Sequence, residues 1–327
     1  MTDRYCSSEP GGDRLPSALS LEVDISADAG RGLVLKNPFI AASGTFGYGT
    51  EYSDICPADD WGAVVMKTVT PGPRDGNPPP RCCETDRGML NSIGLANTGI
   101  EKFLSEKLPF FSRKHPEAFA VASIAGETVE EFSMLAGKAG NTPGIKALEI
   151  NISCPNVSKG GIHFGSDAAS SAEVVKECRN ASSVPVWVKL TPAAKDPVKI
   201  AAACADAGAD AIVASNTIPG MAIDTVKCAP VLGNTTGGLS GPAIFPAALR
   251  TAYAVAKALP GISLIGCGGI DSADKAVQFI LAGADAVEVG TAVFRNPDIL
   301  YILIQDLKVY MSRMGFSCIK DFKGLAL

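Results

Sequence analysis

ALEINISCPN, residues 147–156, alternates so regularly that an extended strand is the local structure that fits it. Leu148, Ile150 and Ile152 fall on one face, and Glu149, Asn151 and Ser153 on the other, because successive side chains of a strand point to opposite sides. The strand runs out at Cys154, a thiol set between two carboxamides and directly before a proline. Pro155 biases Cys154 towards an extended conformation and stiffens the exit of the loop, so the thiol is aimed. Filler at a turn, a nucleophile, a metal ligand and a proton-transfer group all remain open on these letters alone.

Similar short apolar runs flank this one: PFIAAS, AVVMKTV and AFAVASIA before it, VPVWVKLT, ADAIVASNT, ISLIGCGG and ADAVEVGT after it. Between the later runs lie amphipathic helix candidates at 127–139, 167–180, 196–207, 243–259, 272–282 and 297–312. Strands alternating with helices are the pattern of parallel strands joined by crossover helices, and eight such units favour a closed (β/α)8 TIM barrel. An open doubly wound sheet is the rival, but no GxGxxG opens the first helix. Two long insertions, 71–100 and 218–242, follow the second and sixth strands and so belong to the C-terminal face, where barrels place their sites. Residues 1–18, rich in Gly, Pro, Ser and charge, read as a flexible N-terminal extension, with the barrel domain covering 19–327.

The chain has 327 residues, 46% hydrophobic and 19% charged, with a formal net charge of -5. No polybasic stripe is present, which argues against nucleic acid or an anionic membrane as partner. The apolar runs fall short of the roughly 20 residues that span a bilayer. The N-terminus lacks the apolar core of a secretory signal, so the ten cysteines read as free thiols in the cytoplasm. Cys82 and Cys83 are adjacent, the other thiols are scattered and only His115 and His163 are available as imidazoles, which leaves no metal or iron–sulfur spacing.

In VWVKLT the alternation sends Val186, Val188 and Leu190 outward and leaves Trp187, Lys189 and Thr191 inward. On the second strand it sets Val64, Met66 and Thr68 against Val65, Lys67 and Val69. Charged and amide groups converging inside a barrel cost several kcal/mol apiece unless paired, so they predict a ligand that satisfies them. GCGGI (266–270) and VGTAVF (289–294) end the last two strands, where glycine turns let backbone N–H groups converge on a phosphate, and GGLSG (237–241) can add donors. The turn Ala42-Ser43-Gly44-Thr45 approaches the same space. Asn91, Asn151, Asn156 and Asn216 suit a planar heterocycle edged with carbonyls and N–H groups. A free thiol has a pKa of about 8.5, so a base at Cys154 would work better as the pH rises. A Schiff-base aldolase or lyase using Lys189 or Lys67 is the competing chemistry.

LKNPFIAASGTFG, GNPPPR, GMLNSIGLAN, LEINISCPNV, VPVWVKLTP, SNTIPGM, TGGLSGPAI, IGCGGI and VGTAVF occur in this order over about residues 20 to 320. On these motifs the chain resembles the class 1 dihydroorotate dehydrogenases. That resemblance implies an FMN-binding barrel that oxidises dihydroorotate to orotate in pyrimidine synthesis, with Cys154 as the base that takes the C5 proton while hydride leaves C6 for the flavin. It implies pyrimidine contacts from Lys67, Asn91, Asn151, Asn156, Asn216 and Thr217, and from the backbone of Gly94 and Leu95. FMN contacts are implied for Ala42, Ser43, Gly44, Lys67, Thr68, Asn151, Lys189, Ser240, Gly241, Gly268, Gly269, Gly290 and Thr291. NTTGGLSGPAI and SNTIPGM are similar to the NAD-linked type, which works with a partner subunit carrying FAD and an iron–sulfur cluster; a fumarate-linked enzyme is the alternative. The resemblance further implies a homodimer, or a heterotetramer with that subunit. Relatives that reduce pyrimidine bases tend to have histidine where Asn156 stands, which favours orotate. ASIAG departs from the ANVAG found in many relatives, so Ser123 stands where an amide would reach the flavin.

Overall fold

The computed structural model describes residues 19–25, 31–52, 54–152 and 164–327. Eight parallel strands close into a barrel: β1 (Phe39–Ala41), β2 (Ala63–Val65), β3 (Ala120–Ile124), β4 (Ile145–Asn151), β5 (Val186–Lys189), β6 (Ala211–Ala214), β7 (Ser263–Cys267) and β8 (Ala286–Val289). Each corresponds to one of the eight apolar runs, and β8 pairs with β1 through Val287 and Phe39, Glu288 and Ile40, and Val289 and Ala41 to complete the ring. No helix among the described residues is long and apolar enough to cross a membrane.

The connecting helices begin with a helical stretch that the sequence reading did not anticipate. Gly99–Lys102, a π-helical turn at Phe103–Lys107 and Leu108–Lys114 run on from one another as α1. There follow α2 (Val129–Gly140), α3 (Ala168–Ala181), α4 (Pro197–Asp206), α5 (Phe245–Ala258), α6 (Ala273–Leu281), the short α7 (Ala292–Arg295) and α8 (Ile299–Met314). Four of them start from a side-chain cap, Thr128, Asp167, Asp196 or Ser272, whose oxygen accepts the N–H three residues on. Such caps satisfy one of the orphan donors of a helix N-terminus and are worth about 1 kcal/mol each. The helices bury their apolar stripes on the outer faces of the strands, giving one continuous core that runs from Val23 to Phe322.

The sequence AGAD occurs twice, at 207–210 and 282–285, and does the same work both times. Gly208 and Gly283 take left-handed φ values of 99° and 100°, which turns the helix end back towards the sheet. The aspartate then accepts the N–H of the neighbouring strand: Val186 N–H donates to Asp210 at 2.8 Å, and Leu264 N–H to Asp285 at 2.9 Å. Asp210, fully buried, also binds Arg179 at 2.8 Å and Arg31 Nε at 2.8 Å, while Asp285 pairs with Lys323 of the C-terminal tail.

The two insertions build one structure at the C-terminal face of the barrel. Cys82–Thr85 and Gly88–Asn91 from the first join Gly237–Ser240 and Ile218–Gly220 from the second in a four-stranded antiparallel sheet, with Gly238 opposite Asn91 and Ser240 opposite Met89. Elsewhere, β1 is followed by no long helix, only a single 3-10 turn at Ala58–Asp60. The C-terminal tail buries Ile319 and Phe322 against the core and bonds Gly324 and Ala326 to the end of α6. Residues 1–18 lie outside the described residues.

Removing the Asp210 carboxylate strands the Arg179 guanidinium, of which only 15% is exposed, and a strand N–H. Breaking such a buried pair costs about 3–5 kcal/mol. Asp210→Ala is therefore expected to lower the melting temperature far more than Asp285→Ala, whose partner is more exposed; urea or thermal unfolding of the two variants makes the comparison.

Candidate active site

At the C-terminal ends of the strands, beneath the insertion sheet, lies a cavity of about 770 Å³. Every described residue for which the resemblance implies a pyrimidine or FMN contact lines it: Ala42, Ser43, Gly44, Lys67, Thr68, Asn91, Gly94, Leu95, Asn151, Lys189, Asn216, Thr217, Ser240, Gly241, Gly268, Gly269, Gly290 and Thr291. Cys154, Asn156 and His163 fall outside the described residues. Cys154 follows Asn151, the last residue of β4, by three positions.

One detail of the alternation fails. Lys67 and Thr68, expected on opposite faces of the second strand, both line the cavity. β2 ends at Val65, and the Lys67 N–H turns aside to donate to the Gly47 carbonyl at 2.8 Å, so period-two logic no longer applies there. Burial lowers the Lys67 ammonium below the usual lysine range, and no ion-pair partner for it is found among the described residues.

Lys189 differs from expectation in another way. It was expected to await a ligand, yet it already has partners of its own: its Nζ lies 2.5 Å from Glu288 Oε2 and 3.2 Å from Glu149 Oε2. Burial alone would lower its pKa, but the attraction of Glu149 and Glu288 outweighs this and carries the ammonium well above the ordinary lysine value. Held as an ammonium, Lys189 is a poor candidate for a Schiff-base nucleophile, which must present a free amine. Burial, with Glu288 facing it, pushes the Glu149 carboxyl well above the usual carboxylate range. The Cys267 thiol, also on the cavity wall, is raised by burial and stays neutral. Glu288 escaped the sequence reading, although the alternation that exposed Glu149 would have flagged an acid in the buried run AVEV.

A second network backs the adjoining wall, with Ser123 paired in register beside Glu149. Ser123 is buried behind the lining, and its hydroxyl meets Thr68 Oγ1 at 2.8 Å; Thr68 meets Ser43 Oγ at 3.1 Å, and Ser43 donates to the Met66 carbonyl at 3.1 Å. Each hydroxyl has one proton, so the chain has a fixed direction from Ser123 to Met66. Nearby, Thr291 donates to Ser240 at 2.7 Å, and Ser240 to the Met89 carbonyl at 3.3 Å, tying β8 to the insertion sheet.

The loop Ser92 to Thr98 is fixed by an amide that sequence reasoning passed over. Asn97 donates to the Leu95 carbonyl at 2.7 Å and to Thr70 Oγ1 at 2.8 Å, and accepts the Gly99 N–H at 2.7 Å. These bonds hold Gly94 and Leu95 at φ of 70° and 55°, a region that costs a non-glycine residue about 1–2 kcal/mol. At Gly94 a Cβ would sit 2.5 Å from the Asn77 nitrogen, so the close approach demands glycine. At the far end Gly268 and Gly269, with φ of 134° and 75°, shape the turn after β7. A Cβ on Gly269 would lie 2.7 Å from the Phe245 Cβ.

The profile of the family described as dihydroorotate dehydrogenase matches residues 28–311. The chain belongs to the dihydroorotate dehydrogenase family. Within it, the similarity is to the class 1B, NAD(+)-linked catalytic subunit. It is 50% identical over 293 residues to the catalytic subunit of dihydroorotate dehydrogenase B (NAD(+)) from Pelobacter propionicus, covering 90% of this chain and 95% of that one. The corresponding protein of Geotalea daltonii is 46% identical over 304 residues, covering 93% and 97%. Among solved structures, the dihydroorotate dehydrogenase of Eimeria tenella in complex with ferulenol superposes with a TM-score of 0.78 at 22% identity, over 93% of this chain and 88% of that one, a likeness of fold.

Lys189→Ala should expose the cost of the buried acids. Without the ammonium, folded-state carboxyls bind protons more tightly than unfolded ones, so the variant's stability is fullest below about pH 4 and is lost as the pH rises. Melting curves at about pH 5 and about pH 8 should show the gap to the parent protein widening with pH, from a penalty of about 3–5 kcal/mol at neutrality.

Proposed function

We propose that this chain is the catalytic subunit of an FMN-dependent dihydroorotate dehydrogenase, oxidising dihydroorotate to orotate in pyrimidine biosynthesis. The observation that carries the reading is the convergence of the family's motif residues on one cavity, together with family membership across most of the chain. The cavity fits the cofactor: about 770 Å³ is the size of a ligand pocket, glycine turns line one end, and a buried carboxyl oxygen of Glu149 on its wall has no hydrogen-bond partner among the described residues. FMN, when bound, supplies the acceptor for the hydride that leaves C6.

The residues that would hold FMN are Ala42, Ser43, Gly44, Lys67, Thr68, Asn151, Lys189, Ser240, Gly241, Gly268, Gly269, Gly290 and Thr291. Their chemistry divides along the cavity. Gly268 and Gly269, with Gly290 and Thr291, would approach the phosphate through backbone N–H groups, since no side chain intervenes at glycine. Lys189 would offer a permanent positive charge to the electron-rich edge of the ring, and the hydroxyls of Ser43 and Thr68, their protons committed along the Ser123 chain, would present lone pairs. Ser123 thus supports Thr68 from behind, in the place where an amide would otherwise reach inward.

Asn91, Asn151, Asn156, Asn216 and Thr217, with the backbone of Gly94 and Leu95, would read the donors and acceptors of the pyrimidine edge, and Lys67 would stand between it and the cofactor. Several of these groups are pre-set. Asn91 Nδ2 is anchored on the Gly238 carbonyl at 3.3 Å, and Asn216 Oδ1 accepts the Thr217 N–H at 2.7 Å. Cys154 would take the proton from C5; a positioned base contributes about 10²- to 10⁴-fold. The lid sheet would exclude water from the ring.

The chain's own thiols and imidazoles include no group of three or more arranged to hold a metal among the described residues. We therefore assign FAD and the iron–sulfur cluster to a partner subunit, the whole forming a heterotetramer around a homodimer, with NAD as final acceptor. The purified chain should be yellow, and co-purification with that subunit should add iron–sulfur absorbance.

Cys154→Ala should still bind orotate, read as a shift of the flavin spectrum, while its flavin is reduced by dihydroorotate at least about 100-fold more slowly than in the parent at neutral pH. Near-normal anaerobic reduction in that variant would overturn the role of Cys154. A colourless protein trapped on lysine by borohydride would overturn the flavin reading altogether.

A further inference from the structure

We propose that Glu149 and Glu288 together hold one proton against Lys189, so that the floor of the cavity is electrically neutral, and that Glu149 is a positioning residue for Lys189. The carboxyls of Glu149 and Glu288 are 0% exposed, and the Lys189 side chain only 6%. One oxygen of each acid, Oε2, contacts Nζ; the other, Oε1, is buried and has no hydrogen-bond partner among the described residues. Both carboxyls converge on the one Nζ, Glu288 at 2.5 Å and Glu149 at 3.2 Å. Among the described residues, Cys267 is the other titratable group that acts on Lys189, and burial keeps its thiol neutral.

Two carboxylates and one ammonium would leave a net negative charge on side chains that are almost wholly buried, which costs several kcal/mol. A single proton removes that charge and gives the unpartnered acceptors a donor. The geometry selects where it sits. Glu288 keeps the short contact of 2.5 Å to the ammonium, and the proton is assigned to Glu149, which stands off at 3.2 Å. That assignment agrees with the direction in which burial and Glu288 drive Glu149. The neutral acid still accepts from Lys189 through one oxygen while donating from the other, which fixes the ammonium without adding charge.

The consequence for catalysis rests on the FMN reading above: with a neutral floor, the Lys189 charge that would face the cofactor is balanced by one carboxylate and not outweighed by two.

Infrared difference spectra of the full-length protein, with and without FMN, test the proton directly. At neutral pH the parent should show a protonated-carboxyl stretching band that shifts on deuterium exchange and is missing from Glu149→Gln. Glu288→Gln gives an independent reading: Glu149 becomes the only counter-charge of Lys189, ionises, and the band disappears again. In FMN-loaded Glu149→Gln the midpoint potential should match the parent, because a neutral amide replaces a neutral acid, and its melting temperature should stay close. A parent without any band sensitive to Glu149→Gln or Glu288→Gln, or a marked rise in midpoint potential in Glu149→Gln, would overturn the proposal. The band is read equally from protein free of FMN, so a failure of the flavin reading leaves this test standing.

Discussion

Lys189 sits where the packed interior of the barrel gives way to a cavity, and its two glutamate partners explain how that boundary can exist. A closed barrel of eight strands normally fills its centre with layers of side chains. Here Glu149 on β4, Lys189 on β5 and Glu288 on β8 form a polar layer whose charges balance once the two acids share one proton. Apolar residues of the same size would fill the space without electrostatic cost, since buried ion clusters are seldom the most stable choice. What the cluster provides is a fixed cation at the top of the core, on a rigid strand, facing an open cavity.

From that floor the walls follow with a division of labour. The hydroxyls of Thr68 and Ser43, backed by Ser123, line one side, and the loop stapled by Asn97 forms another. Over both lies the sheet built from the two insertions. Because Gly237–Ser240 pairs with Gly88–Asn91, two loops distant in sequence become one cover, and Asn91 and Thr217 are brought to the same space. Ser240, bonded to Thr291 and to Met89, couples that cover to the rim of the barrel.

Much of the fold could be read from the letters because the barrel repeats one local rule eight times. Alternation at residues 147–151 located Glu149 and Asn151 correctly, and the late helices follow their apolar stripes to within a few residues. The rule failed where the chain leaves regular geometry. Lys67 and Thr68 lie beyond the end of β2, and α1, with Pro109 near its second start and a π-turn in its middle, carries no clean stripe. The cover sheet was illegible for a different reason: its strands are short and glycine-rich, and their pairing joins segments about 150 residues apart, which no local pattern encodes. The partners of Lys189 were half legible. Glu149 declares itself within its own strand, whereas the need for Glu288 appears only when the barrel closes. The motif resemblance supplied what alternation could not, namely which polar letters belong to one site.

The central claim is that a flat pyrimidine is gripped by amides between the cofactor and the Cys154 thiol. A crystal structure of the FMN-loaded chain with orotate tests it most directly. Orotate should lie against Asn91, Asn151 and Asn216, with its ring stacked on the flavin and the Cys154 sulfur over the opposite face, close to C5. Orotate bound elsewhere in the cavity, or a sulfur on the flavin's own side of the ring, would contradict the account.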